Sequence, residues 1–123
     1  MKIKKYIINT AIKEAGLSTY KHHMSAIIFN KHCVVSIGRN YPCKSVKHLH
    51  PKFTRWRGSV HAEIDCIMRA KRDISGHSIL VIRLMKNGEL GMAKPCKHCL
   101  SYLDHVKIKN TYYSDSKGEI VKL

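Results

Sequence analysis

Between Ser75-Gly76 and Asn87-Gly88 the chain runs Ile79-Leu80-Val81-Ile82 and then Arg83-Leu84-Met85. An unbroken apolar run of this length reads as a strand buried on both faces, because a strand with one wet face alternates apolar with polar residues. The Asn87-Gly88 pair favours a tight turn at its end. A sheet covered on both faces requires a helix layer on each side, so the chain is expected to be an α/β protein of three layers, α/β/α.

The flanking segments supply those layers. Ile3, Ile7, Ile8, Ala11, Ile12 and Ala15 recur at helical spacing, which predicts an amphipathic helix from about Ile3 to Ala15 with Gly16 as its stop. Strands are expected over Met24–Phe29 and Cys33–Gly38, joined through Asn30-Lys31-His32 as an antiparallel hairpin. A stretch from Arg39 to Val60 carries no strong periodicity and reads as a long loop, a kind of segment that is usually functional. Helices are expected from His61 to about Arg72 and from Pro95 to His105, and a strand over Ile108–Ser114. The last apolar run, Glu119–Leu123, follows after only Asp115-Ser116-Lys117-Gly118. A parallel crossover needs a dozen or more residues, so these last two strands should pair antiparallel. The sum is a mixed, five-stranded sheet in one domain spanning residues 1–123, a length at which a single core suffices.

Two short motifs open the two later helices: His61-Ala62-Glu63, and Pro95-Cys96-Lys97-His98-Cys99. Cys96 and Cys99 share one face of a helical turn, and a helix N-terminus favours thiolate. Pro95 is suited to the first helical position because it has no amide hydrogen to leave unpaired. His61 and Glu63 converge only in a helix's opening turn. Two thiols and an imidazole suit zinc, and three protein ligands leave a position for a water whose pKa the metal lowers. A neighbouring carboxylate can then shuttle a proton. A structural zinc clamp completed by Cys43, Cys66 or His98, or a redox pair of cysteines, would also use Cys-x-x-Cys, although neither explains His61 and Glu63.

The pair of motifs resembles the signature of the zinc-dependent cytidine deaminase superfamily. The resemblance implies the superfamily's fold, zinc held by His61, Cys96 and Cys99, and Glu63 as the catalytic general acid and base. The implied reaction is hydrolysis of the amino group at C4 of cytosine, giving uracil, with adenine an alternative base. Asn40 resembles the superfamily's asparagine that bonds a sugar hydroxyl; it also suits a plain turn after a strand. Ala62, between the histidine and the glutamate, is taken as a further substrate-binding position. The segment Lys94-Pro95-Cys96 and the strand end Tyr112-Tyr113-Ser114 are similar to those of small stand-alone deaminase-like proteins of phages and large viruses.

Charge bears on the substrate. Lys and Arg number 23 against 8 Asp and Glu, a net charge of +15, and no acidic residue lies between Glu14 and Glu63. Such an excess favours polyanions. Within that stretch, Lys52-Phe53-Thr54-Arg55-Trp56-Arg57 interleaves aromatics with cations, as single-strand binding surfaces do, which nominates Arg55, Trp56 and Arg57 as substrate contacts. The C-terminal hairpin instead resembles the free-nucleoside branch of the superfamily and some bacterial toxin deaminases, yet Ile37-Gly38-Arg39-Asn40 offers no counterpart of the free-nucleoside branch's glutamate. Three readings follow: a deaminase of cytosine in a nucleotide or single-stranded nucleic acid, which the charge favours; a free cytidine or deoxycytidine deaminase; and a non-catalytic, zinc-stabilised nucleic-acid-binding module. Five cysteines at irregular spacing and the lack of a long apolar segment point to a reducing, cytoplasmic setting with no membrane partner, and to Cys33 and Cys66 as buried thiols. A homo-oligomer is compatible with the sequence.

Overall fold

The computed structural model describes residues 3–18, 21–31, 33–43 and 58–123. Its main sheet runs in the order β2 (Val34–Arg39), β1 (His23–Phe29), β5 (Ser78–Leu84), β7 (Asn110–Ser114) and β8 (Ile120–Lys122). β5 and β7 pair in parallel, while β1–β2, β1–β5 and β7–β8 are antiparallel, so the sheet is mixed and ends in the expected C-terminal hairpin. A short strand, β6 (Leu90–Gly91), folds back on the end of β5 and makes the sheet six-stranded rather than five-stranded. The turn between them is built on Asn87-Gly88, with Gly88 at φ +86°. β3 (Tyr41–Cys43) and β4 (Gly58–Val60) pair antiparallel as a separate ribbon. The stretch expected to be one loop from Arg39 to Val60 therefore begins and ends in strand.

Among the described residues three helices cover the sheet: α1 (Lys5–Gly16), α2 (Ala62–Ala70) and α3 (Lys97–His105). The central strands sort their side chains strictly by parity. Ile27, Phe29, Leu80 and Ile82 face α1 and join Ile3, Ile7, Ala11 and Ala15 in one core. Ala26, Ile28, Ile79 and Val81 face the other way and pack with Ala62, Cys66 and Leu103 of α2 and α3. This two-sided burial is what the unbroken apolar run at Ile79–Ile82 demands. Gly16 closes α1 without the left-handed conformation of a stop: Leu17 and Ser18 donate their backbone N–H groups to Glu14 and Ala15 at 3.1 Å each.

One glycine sets where the second helix lies. A Cβ at Gly38 would stand 2.3 Å from the Cys66 backbone nitrogen and 2.6 Å from the Ala62 carbonyl oxygen. Only a residue without a side chain lets α2 rest this closely on β2. The same junction is tied by Asp65, whose Oδ2 accepts from the Arg39 backbone N–H at 3.0 Å and from Arg69 Nε at 2.9 Å. Cys66 is buried as expected, whereas Cys33, beside the β1–β2 turn, is exposed. No helix among the described residues is long and apolar enough to cross a membrane.

Candidate active site

His61 and Cys96 occupy equivalent places, each the N-cap of its helix with extended backbone: φ −73°, ψ 151° for His61 and φ −68°, ψ 167° for Cys96. Pro95 therefore precedes the cap instead of opening the helix, a place its locked φ also suits. Neither N-cap side chain caps its own helix. An N-cap hydrogen bond is ordinarily worth about 1 kcal/mol, so both helix starts give up stability in order to aim a ligand elsewhere. They aim at each other. His61 Nδ1 lies 3.2 Å from Cys99 Sγ and 3.7 Å from Cys96 Sγ.

These separations suit a zinc ion. One ligand atom from each of His61, Cys96 and Cys99 lies within 4.8 Å of the other two. Tetrahedral zinc with bonds of about 2.0–2.3 Å places neighbouring ligand atoms roughly 3.5–3.8 Å apart, close to what the cluster shows. Protonation of the cluster points the same way. The Cys96 thiol is drawn down to about 3, first by the hydrogen bond from Cys99 and then by His61. Cys99 is pushed up by donating to Cys96 and by burial, and the bond to Cys96 raises His61. Metal binding to such a cluster would displace the protons of its thiols. The residues fit zinc, and they form a candidate zinc-binding group. Among the described residues no fourth side chain joins it. Cys66 is committed elsewhere, its thiol donating to the Ser36 carbonyl at 3.3 Å, and the Cys43 side chain lies outside what the structure describes.

Glu63, the second residue of α2, is 3% exposed. Burial holds its carboxyl above the usual carboxylate range, opposed in part by His61 and by a hydrogen bond from Cys99. Glu63, His61 and Cys96 share a cavity of about 270 Å³ whose other walls are His22, Met24, Asn40, Met92 and Lys94. The site thus combines a candidate cation-binding donor set and a buried acid on one small pocket.

The remaining nominated residues divide. Asn40 lines the cavity, but its Oδ1 already accepts from Ser18 Oγ at 2.6 Å and from the Met24 backbone N–H at 3.0 Å, while Nδ2 donates to the His22 carbonyl. Its amide has one N–H left for a ligand. Ala62 is 1% exposed and packs into the α2–α3 core; it is not part of the cavity wall. Arg55, Trp56 and Arg57 lie outside the described residues. His22, Met24, Met92 and Lys94 were not nominated from sequence, since each sits at a strand's edge or in a connection and only the sheet register gathers them. Lys94 carried a faint signal, standing directly before Pro95-Cys96.

Among curated proteins none matches the sequence. Solved structures do match in fold. The dCMP deaminase from the cyanophage S-TIM5 in apo form superposes with a TM-score of 0.61 at 16% identity, over 93% of this chain and 86% of that one. The same enzyme in complex with dCMP and dUMP gives 0.59 at 16% identity, over 94% and 85%. RibD from Acinetobacter baumannii, form 2, gives 0.57 at 14% identity, with 89% of this chain covering 27% of that one. The sequence itself matches the family described as the cytidine and deoxycytidylate deaminase zinc-binding region over residues 1–115. With that match spanning both motifs and nearly the whole fold, the chain belongs to the cytidine and deoxycytidylate deaminase zinc-binding family.

Proposed function

We propose that the protein hydrolyses the amino group of cytosine carried on a nucleotide or a single-stranded nucleic acid, releasing ammonia and leaving uracil. The observation that carries this reading is the convergence of His61, Cys96, Cys99 and buried Glu63 on one cavity. His61, Cys96 and Cys99 hold zinc. When bound, the metal supplies a Lewis-acid position that makes water nucleophilic near neutral pH. Glu63 takes the proton that water gives up and delivers it to N3 as C4 is attacked, then takes the proton of the new C4 hydroxyl and passes it to the amino nitrogen as the C4–N bond breaks and ammonia leaves. Its burial suits it to both halves of that transfer. Asn40, fixed by Ser18, Met24 and His22, offers its last N–H to the sugar. Arg55, Trp56 and Arg57 contribute phosphate contacts and stacking from the segment between β3 and β4.

A phosphorylated substrate is favoured by the +15 net charge and by the likeness to a deaminase solved with dCMP and dUMP. A free nucleoside is the second reading, favoured by the antiparallel β7–β8 hairpin. Mass measurement on zinc-loaded protein incubated with cytidine, deoxycytidine, CMP, dCMP and cytosine-containing single strands separates the two. Preferential conversion of a phosphorylated substrate is expected. Conversion of the free nucleosides alone would replace this reading with the second, and conversion of none, with zinc bound, would leave a zinc-stabilised binding module.

A further inference from the structure

A second depression adjoins the catalytic cavity. It is an open groove of about 530 Å³ lined by Lys21, His22, His23, Arg83, Leu84, Met85, Lys86 and Asn87. His22 belongs to both walls, facing the cavity on one side and the groove on the other. The sheet explains why they meet. Met24, in the cavity wall, is the cross-strand partner of Arg83, and directly opposed residues of an antiparallel pair project to one face. Arg83 is in turn opposite Gly91, whose missing Cβ leaves room for the Met85 thioether; a Cβ there would lie 2.6 Å from Met85 Sδ. Met92, the next residue, is again in the cavity wall.

The groove is cationic. Among the described residues its lining holds Lys21, Arg83 and Lys86 and no carboxylate. The nearby Glu89 carboxylate accepts from Asn87 Nδ2, a lining residue, at 3.4 Å. Arg83 Nη2 lies 3.0 Å from His22 Nδ1, which places a guanidinium at the passage between groove and cavity. The His22 imidazole is shifted down, first by desolvation and then by Arg83 and Lys21, as expected where positive potential gathers.

We infer that this groove binds phosphate esters attached to the sugar of the cytosine held in the cavity, with Arg83 at the passage and Lys21 and Lys86 farther out. The inference rests on the proposed phosphorylated substrate and assigns its phosphates to residues other than Arg55, Trp56 and Arg57. The groove is about twice the volume of the cavity, which suits a phosphate with a further nucleotide beyond it.

Lys21 and Lys86 are exposed, so their replacement spares the core. The test compares wild type, Lys21→Ala/Lys86→Ala, and a control pair on the α1 layer, Lys5→Ala/Lys13→Ala. kcat/KM is measured for deoxycytidine, dCMP and a short single strand containing one cytosine. Salt dependence of binding is measured separately with a fluorescent oligothymidylate. For the groove variant, kcat/KM for phosphorylated substrate over deoxycytidine should fall about tenfold, and the log–log salt slope should shrink by about 1.4, roughly 0.7 for each phosphate no longer neutralised. A fall confined to the single strand assigns the groove to backbone phosphodiesters; a fall shared by dCMP assigns it to the substrate's own monophosphate. An unchanged ratio and slope, or an equal change in the control pair, overturns the inference. If wild type converts nothing yet the slope shrinks only in the groove variant, the deaminase reading fails while the phosphate groove stands.

Discussion

The two faces of the central sheet are built from the same strands and yet differ in kind. The α1 face is a conventional core: Ile27, Phe29, Leu80 and Ile82 meet Ile3, Ile7, Ala11 and Ala15. The opposite face has an equally apolar floor, Ala26, Ile28, Ile79 and Val81, but the helix above it also buries Glu63 at 3% exposure and Asp65 at 4%. Burying ionisable groups costs stability unless they are paired. Asp65 has its partners in Arg39 and Arg69; Glu63 is held by a backbone hydrogen bond and by His61 and Cys99 of the metal-ligand cluster. The difference teaches that one face is built for cohesion, while the other gives up some of it to hold a buried carboxyl beside a candidate donor set for zinc.

The largest effect that separates the faces is metal binding. Cys99→Ser should reduce zinc from about one ion per chain to near none, together with a loss of stability, because metal binding free energy is folding free energy. Leu80→Ala, on the α1 face, should cost about 2–5 kcal/mol in denaturant unfolding and leave zinc stoichiometry unchanged. Equal zinc loss in both variants would erase the distinction. Gly38→Ala sharpens it further. Forcing a Cβ against the Ala62 and Cys66 backbone should cost about 1–3 kcal/mol and, by moving α2, should weaken zinc binding as well. Retention of wild-type zinc affinity would show that α2 can shift without disturbing His61.

A smaller effect concerns Cys66, whose thiol burial pushes up to about 12 from about 9. A raised folded-state pKa means that the unfolded chain ionises first, so stability present below about pH 9 falls as pH rises toward 12. The expected slope is on the order of 1.4 kcal/mol per pH unit. Unfolding of Cys66→Ala across that range should be correspondingly flatter than wild type; parallel curves would show that the thiol is not held neutral in the fold.

Much of this was legible in the sequence. The helix openings at His61 and Cys96, the three-layer arrangement and the C-terminal hairpin follow from motif spacing, an unbroken apolar strand and a connection too short for a crossover. What escaped was of two kinds. β6 is two residues long, and β3 and β4 include Pro42 and Gly58, poor strand formers; such elements exist through long-range pairing and leave no local pattern. The cavity wall was the other omission. His22, Met24, Met92 and Lys94 come from segments joined by sheet register, and nothing local marks them as neighbours of Glu63.

The proposed deamination assigns Glu63 the part of proton carrier beside the zinc-binding group. The most direct test pairs zinc analysis with mass detection of uracil for Glu63→Ala against wild type. The variant should fold, keep about one zinc per chain and lose at least about 10²–10⁴-fold in deamination, the usual contribution of a general acid and base. Uracil formation at the wild-type rate by the zinc-loaded variant would contradict that role.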